Sequence, residues 1–138
     1  MTNKSTLKAR SHCVYSILYH LVIVTKYRKK VLTAPMLDEI RALVTERAVA
    51  RDGEIIEING EADHVHILVS LPPHIAVSDF INVIKTNTSR LLRSKYQEQL
   101  ASAYKDNVLW SRSYCVLTSG GAPLEVLKKY IQNQDSPD

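Results

Sequence analysis

A chain of 138 residues with 45% hydrophobic residues and a formal net charge of +4 has room for one compact core, not for two domains. No stretch approaches the ~20 uninterrupted apolar residues of a membrane span, and the polar start with Lys4, Lys8 and Arg10 lacks the apolar core of a secretion signal. The expectation is a single domain over residues 1–138, cytoplasmic and without membrane contact.

Residues 1–12 are expected to form a flexible basic N-terminus. From Val14 to Thr25 the chain is rich in Val, Ile, Leu and Tyr without Gly or Pro, which predicts one long, largely buried strand. The run from Lys26 to Lys30 is basic. Thr33 can then cap a helix with Pro35 in its first turn, along which Leu37, Ile40, Val44 and Ala48 keep helical spacing until Asp52 and Gly53. Ile56 and Ile58 alternate with Glu57 and Asn59, turn residues follow from Gly60 to Asp63, and Val65 to Leu71 runs apolar up to Pro72, so a two-stranded hairpin is predicted.

Ser78 or Asp79 can cap a second helix, with Ile81, Ile84, Thr88 and Leu91 turned inward and Lys85, Asn87, Arg90 and Arg93 outward. A polar stretch leads through Trp110 to a short strand at Tyr114–Leu117. Gly120 and Gly121 break it, and a last helix is predicted over residues 123–134, opened by Pro123. The order β-α-β-β-α-β, then α, belongs to the α+β class. It implies an antiparallel, ferredoxin-like sheet with helices on one face, the other face left free to bind.

Cys13 and Cys115 lie in apolar runs without Cys-x-x-Cys spacing, so neither a disulfide framework nor a zinc knuckle is indicated. Three basic clusters, Lys26 to Lys30, Lys85 to Lys95, and Lys128 with Lys129, suit a polyanion, although solvated charged faces would look the same. The chemistry-bearing pattern is narrower. His64 and His66 stand two apart on a predicted strand and therefore project from one face, a two-nitrogen clamp for a metal ion. Such a pair also fits histidines with purely structural hydrogen bonds. Tyr130 and Gln134 stand four apart on the last helix and share a face, so one could attack while the other ligates. Tyr130 equally continues the apolar stripe of Leu124, Leu127 and Ile131.

Taken together, His64-Val65-His66 on a strand and Tyr130-Ile131-Gln132-Asn133-Gln134 near the end of the chain resemble the single-tyrosine HUH transposases of the insertion-sequence 200/605 group. Tyr19-His20-Leu21-Val22 running into Thr25-Lys26-Tyr27-Arg28, the segment Asp63 to Val69, and Trp110 followed by Ser113-Tyr114 are similar as well. The resemblance implies a bacterial or archaeal homodimer that cleaves single-stranded DNA through a 5′-phosphotyrosine. It further implies recognition of subterminal DNA hairpins, and active sites in which His64 and His66 of one subunit meet Tyr130 and Gln134 of the other.

Tyr130 is accordingly the expected nucleophile, with His64, His66 and Gln134 as metal ligands. Two imidazoles and an amide oxygen, completed by phosphate and water, suit Mg²⁺, with Mn²⁺ as substitute, better than a structural Zn²⁺. His20 and His74 lack a neighbour at ligand spacing and are expected to be structural. Lys26, Arg28, Lys29, Arg90 and Arg93 are the candidate phosphate contacts, and Tyr27 the candidate base-stacking residue. Three alternatives stay open: a noncatalytic single-stranded DNA- or RNA-binding module of ferredoxin-like fold, a repeat-associated tyrosine transposase-like nuclease, and a phosphoesterase that uses water. The aromatic RNA-recognition signature is missing from a chain with one Phe.

Overall fold

The computed structural model describes residues 7–10, 13–118 and 124–134, without the side chains of residues 124–127. Gly120, Gly121 and Pro123, expected to break the last strand and open the last helix, lie outside the described residues. The strands are β1 (Lys8–Arg10), β2 (Cys13–Tyr15), β3 (Leu18–Val24), β4 (Glu54–Gly60), β5 (His64–Ser70) and β6 (Cys115–Thr118). The helices are α1 (Ala34–Val49), α2 (Val77–Lys95), α3 (Gln97–Ala101) and α4 (Leu124–Gln132). β4, β5, β3 and β6 lie side by side in that order, every neighbour antiparallel. The succession β3-α1-β4-β5-α2-β6 is the expected ferredoxin-like β-α-β-β-α-β unit, with α4 added.

Strand alternation sorts the sheet into two faces. Leu21, Ile23, Val65, Ile67 and Val69 pack beneath α1 and α2 with Met36, Ile40, Val44, Phe80, Ile81, Ile84 and Leu92. The other face is not wholly free. Val22 and Val24 are buried there against Cys115, Leu117, Tyr130 and Ile131, so α4 covers part of it. The last helix therefore does more than carry a tyrosine: it seals the second side of the central strand.

Several boundaries differ from expectation for local reasons. The single strand from Val14 to Thr25 is broken, because Cys13–Tyr15 turns away to pair with Lys8–Arg10 in a separate hairpin. Lys8 and Arg10, placed by the sequence in a flexible segment, are held by ion pairs from Lys8 to Glu54 and from Arg10 to Asp52. α1 begins as expected, with the Thr33 hydroxyl accepting from the Met36 amide at 3.4 Å, but it buries Met36 where Leu37 was expected. α2 starts at Val77 after Ala76, without a side-chain cap from Ser78 or Asp79, and buries Leu92 in place of Leu91. The polar stretch after α2 contains the short α3, anchored by buried Leu100.

A long connection returns to the sheet at Trp110, which bridges Thr25 at the end of β3. Its indole Nε1 donates to the Thr88 hydroxyl at 2.9 Å, while that hydroxyl donates to the Ile84 carbonyl at 2.6 Å. Both polar groups are buried and both are satisfied, so the connection is pinned to α2 at a fixed depth. From there Lys85 Nζ donates to the carbonyls of Ser111 at 2.8 Å and Arg112 at 3.1 Å. This fastens the segment that delivers Ser113 to the second face.

Candidate active site

β5 alternates Val65, Ile67 and Val69 into the core with His64, His66 and Leu68 onto the second face. Register places His66 opposite Val22 on β3 and opposite Asn59 on β4. Both histidines line a cleft of about 630 Å³ whose walls come from Arg28, Lys30, the turn from Asn59 to Asp63, and Lys128, Ile131 and Gln132 of α4. That volume accommodates a nucleotide-sized group. The expected clamp and the expected helix thus meet at one concavity.

Each histidine has a partner that orders its ring. The His64 Nδ1 lies 2.9 Å from Asp63 Oδ1; since a carboxylate only accepts, Nδ1 carries a proton, and in the neutral ring the lone pair is then on Nε2. Asp63 is itself fixed, its carbonyl accepting from the Thr25 amide at 3.0 Å and from the Thr25 hydroxyl at 3.2 Å. The His66 Nε2 lies 3.0 Å from Nδ1 of His20 on the neighbouring strand, with the two rings 5.2 Å apart and 6° from parallel. Burial foremost, then the His20 ring, holds the His66 pKa below the ordinary imidazole value. A neutral imidazole is the form that can bind a cation.

Arg28 joins the clamp to the helix. Tyr27 and Arg28 both adopt positive φ, 60° and 52°, a conformation that costs an L-residue roughly 1–2 kcal/mol each. The kink turns Arg28 inward. Its Nε sits 3.5 Å from Asp63 Oδ2, and its Nη1 donates to the α4 carbonyls of Ile131 at 3.3 Å and Gln132 at 3.4 Å. One guanidinium therefore touches the carboxylate that orders His64 and the C-terminal end of the tyrosine helix.

The last helix ends at Gln132 and not at residue 134 as expected, so Gln134 lies in the turn beyond α4; it and Tyr130 nevertheless converge on Ser113. The Tyr130 hydroxyl donates to Ser113 Oγ at 3.1 Å, and that hydroxyl donates to Gln134 Oε1 at 2.8 Å. Neither residue lines the cleft that holds His64 and His66 in the same chain; Lys128, Ile131 and Gln132 do so instead. Among the described residues, no group of three or more His, Cys, Asp or Glu is arranged around a metal position.

Residues 13–134 match the family of IS200-like transposases. The chain belongs to that family, whose enzymes catalyse DNA transposition. It is 32% identical over 121 residues to the ISDra2 transposase TnpA of Deinococcus radiodurans, covering 88% of this chain and 86% of that one. With the transposase of insertion sequence IS200 from Salmonella typhimurium it shares 27% over 131 residues, 95% of this chain and 85% of the other. The crystal structure of a candidate transposase from D. radiodurans R1 superposes with a TM-score of 0.82 at 30% identity, over 94% of this chain and 98% of that one. A REP-associated tyrosine transposase bound to a REP hairpin has a TM-score of 0.52 at 13% identity, over 83% of this chain and 62% of that one, a likeness of fold.

The basic residues of the transposase divide in a way that spacing alone does not reveal. Lys26, Tyr27 and Lys29 border one depression with Tyr104 and Lys105; Arg93 borders the next with Lys105, and Arg90 and Arg93 a third beside Trp110. Five of the six candidate DNA contacts therefore lie along neighbouring hollows. Arg28, the sixth, is turned toward Asp63 and α4. Lys85, counted on the outward basic face, is engaged with backbone carbonyls. The residues that sequence reasoning missed are His20, Asp63, Arg28 in its bridging role, and Ser113. Asp63 had a signal, its place directly before His64. His20 had none along the chain, since its partner is 46 positions away and is brought near only by strand pairing.

Proposed function

We propose that the protein is a metal-dependent single-stranded DNA transposase in which Tyr130 attacks a phosphodiester. The observation that carries this reading is the cleft itself: two histidines from β5, each ordered by a partner, beside the basic groups of Arg28, Lys30 and Lys128. Attack by the Tyr130 oxygen on phosphorus expels the 3′-oxygen, which leaves as a hydroxyl, and forms a 5′-phosphotyrosine. The ester conserves the energy of the broken bond, so a later 3′-hydroxyl can displace the tyrosine and join a new partner without ATP. Excision and insertion of an insertion sequence are then one reaction run in two directions.

His64 and His66 are the residues to hold the divalent ion, with Gln134 supplying an amide oxygen. The donor set fits Mg²⁺, with Mn²⁺ as substitute: a lone pair at His64 Nε2, a neutral His66 and a carboxamide leave positions for phosphate and water. A bound ion supplies Lewis-acid polarisation of the scissile phosphate. The chain's own groups do the rest. Lys30, Lys128 and Arg28 line the cleft with positive charge for the phosphate, and Asp63 keeps the His64 ring aimed. Lys26, Lys29, Arg90 and Arg93 contact the DNA backbone, and the exposed Tyr27 ring can stack on a base. Subterminal hairpins are the substrate that the family resemblance implies.

The active form in this reading is a homodimer with shared sites. The position of Tyr130 and Gln134 on Ser113, outside their own chain's histidine cleft, supports it. Gln134 can then complete the clamp of the partner subunit.

Covalent trapping tests the chemistry. A 3′-labelled hairpin strand carrying the cleavage site, incubated with Mg²⁺ and denatured, should leave its labelled fragment, downstream of the nick, attached to the protein. Tyr130→Phe should abolish the adduct, and EDTA, His64→Ala or His66→Ala should reduce it by at least about a hundredfold with hairpin binding retained. Cleavage by Tyr130→Phe without an adduct would establish hydrolysis by water instead.

A further inference from the structure

We propose that His20 is a positioning residue of the site: it accepts a hydrogen bond from Nε2–H of His66 and thereby holds the His66 lone pair on Nδ1. The inference rests on the reading of His64 and His66 as the metal clamp. The Nδ1 of His20 and the Nε2 of His66 are 3.0 Å apart, and nearly parallel rings hold them there. An N–H···N bond between two neutral imidazoles needs one nitrogen protonated and the other bare, so only two arrangements exist. If His20 donated, the His66 Nε2 lone pair would be consumed and its Nδ1 would carry the proton. His66 would then have nothing to offer a cation. If His66 donates, its Nδ1 is bare and available.

The second arrangement makes the two halves of the clamp alike. His64 gives its Nδ1 proton to Asp63 and keeps Nε2 bare; His66 gives its Nε2 proton to His20 and keeps Nδ1 bare. A ligating imidazole whose other nitrogen donates to a fixed acceptor has its tautomer and its ring plane set in advance. His20 can serve as that acceptor because its backbone is paired on both sides, on the central strand β3 between β5 and β6, with Leu68 opposite on one side and Leu117 on the other. The remaining proton of His20 belongs on its Nε2.

The test uses the full chain, with two readouts. In metal-free protein at mildly alkaline pH, long-range ¹⁵N–¹H correlations should show His66 protonated at Nε2. His20→Leu should turn this into a tautomer mixture and weaken Mn²⁺ binding, followed by the EPR signal of free Mn²⁺, by about tenfold or more. His20→Asn, whose amide oxygen can stand near the position of Nδ1, should retain the tautomer and bind Mn²⁺ within about threefold of the parent. His66 protonated at Nδ1 in the parent protein overturns the inference, and so does a His20→Leu variant with unchanged tautomer and unchanged affinity. A parent that fails to bind Mn²⁺ overturns the metal reading instead, and the metal-free spectrum still decides the role of His20.

Discussion

Thr88 shows how a single hydroxyl sets the position of the segment leading to the site. It lies in the buried stripe of α2, where a polar side chain is costly unless it is paired, and it is paired twice, to Trp110 Nε1 and to the Ile84 carbonyl. Replacing it by Val keeps the shape and leaves the indole N–H buried without an acceptor. Thr88→Val is therefore expected to lower stability by about 1–3 kcal/mol in chemical denaturation, whereas Thr88→Ser, which keeps the oxygen, should lose less. The sequence assigned Thr88 correctly to the inner face of a helix. It could not say that the acceptor served a tryptophan 22 positions away.

At the scale of elements, the informative feature is how α4 is held. Its attachment to the sheet combines Val22 and Val24 packing against Tyr130 and Ile131, the Ser113 bonds to Tyr130 and Gln134, and the Arg28 bonds to two terminal carbonyls. A cation at a helix C-terminus gains from both the bare carbonyls and the helix dipole. Arg28→Ala should therefore raise hydrogen-exchange rates in α4 by about five- to thirtyfold, with α1 and α2 unchanged, consistent with a local loss of roughly 1–2 kcal/mol. Equal acceleration throughout the chain would instead assign Arg28 to global stability. The 3.6-residue period anticipated Tyr130 and Gln134 on one side, although the helix itself stops at Gln132. The latch was not legible, because Arg28 reaches it through a two-residue left-handed kink in a run that reads as plain basic surface.

For the whole molecule, the proposed arrangement of two composite sites in a symmetric dimer makes a sharp prediction. Subunits carrying His64→Ala and His66→Ala, mixed under exchange with Tyr130→Phe subunits, should form heterodimers in which one site has all its parts and the other lacks both the histidines and the tyrosine. Adduct formation is expected to return to about half the parent level per heterodimer, because one of two sites is restored. Heterodimers that form and bind DNA without any adduct would place the whole site within one chain and remove the shared-site reading.

The local pattern of the chain was enough to determine the β-α-β-β-α-β order of its main sheet unit, its α+β class, the outward pair His64 and His66, and the placing of Tyr130 and Gln134 on one side. Those properties follow from fixed periods, two residues along a strand and 3.6 along a helix, which any sequence displays directly. Tertiary structure decided what those residues meet. His20 reaches His66 by cross-strand register, Arg28 reaches Asp63 and α4 through a local kink, and Ser113 reaches Tyr130 and Gln134 through a connection pinned by Trp110. Even the second face of the sheet, which the element order left open, is partly closed by α4. Contacts of this kind depend on which strands pair and where the chain kinks, and their free energies come from burial and hydrogen bonding between distant segments. No period in the sequence encodes them, so the clamp could be read from the chain while the groups that hold it in place could not.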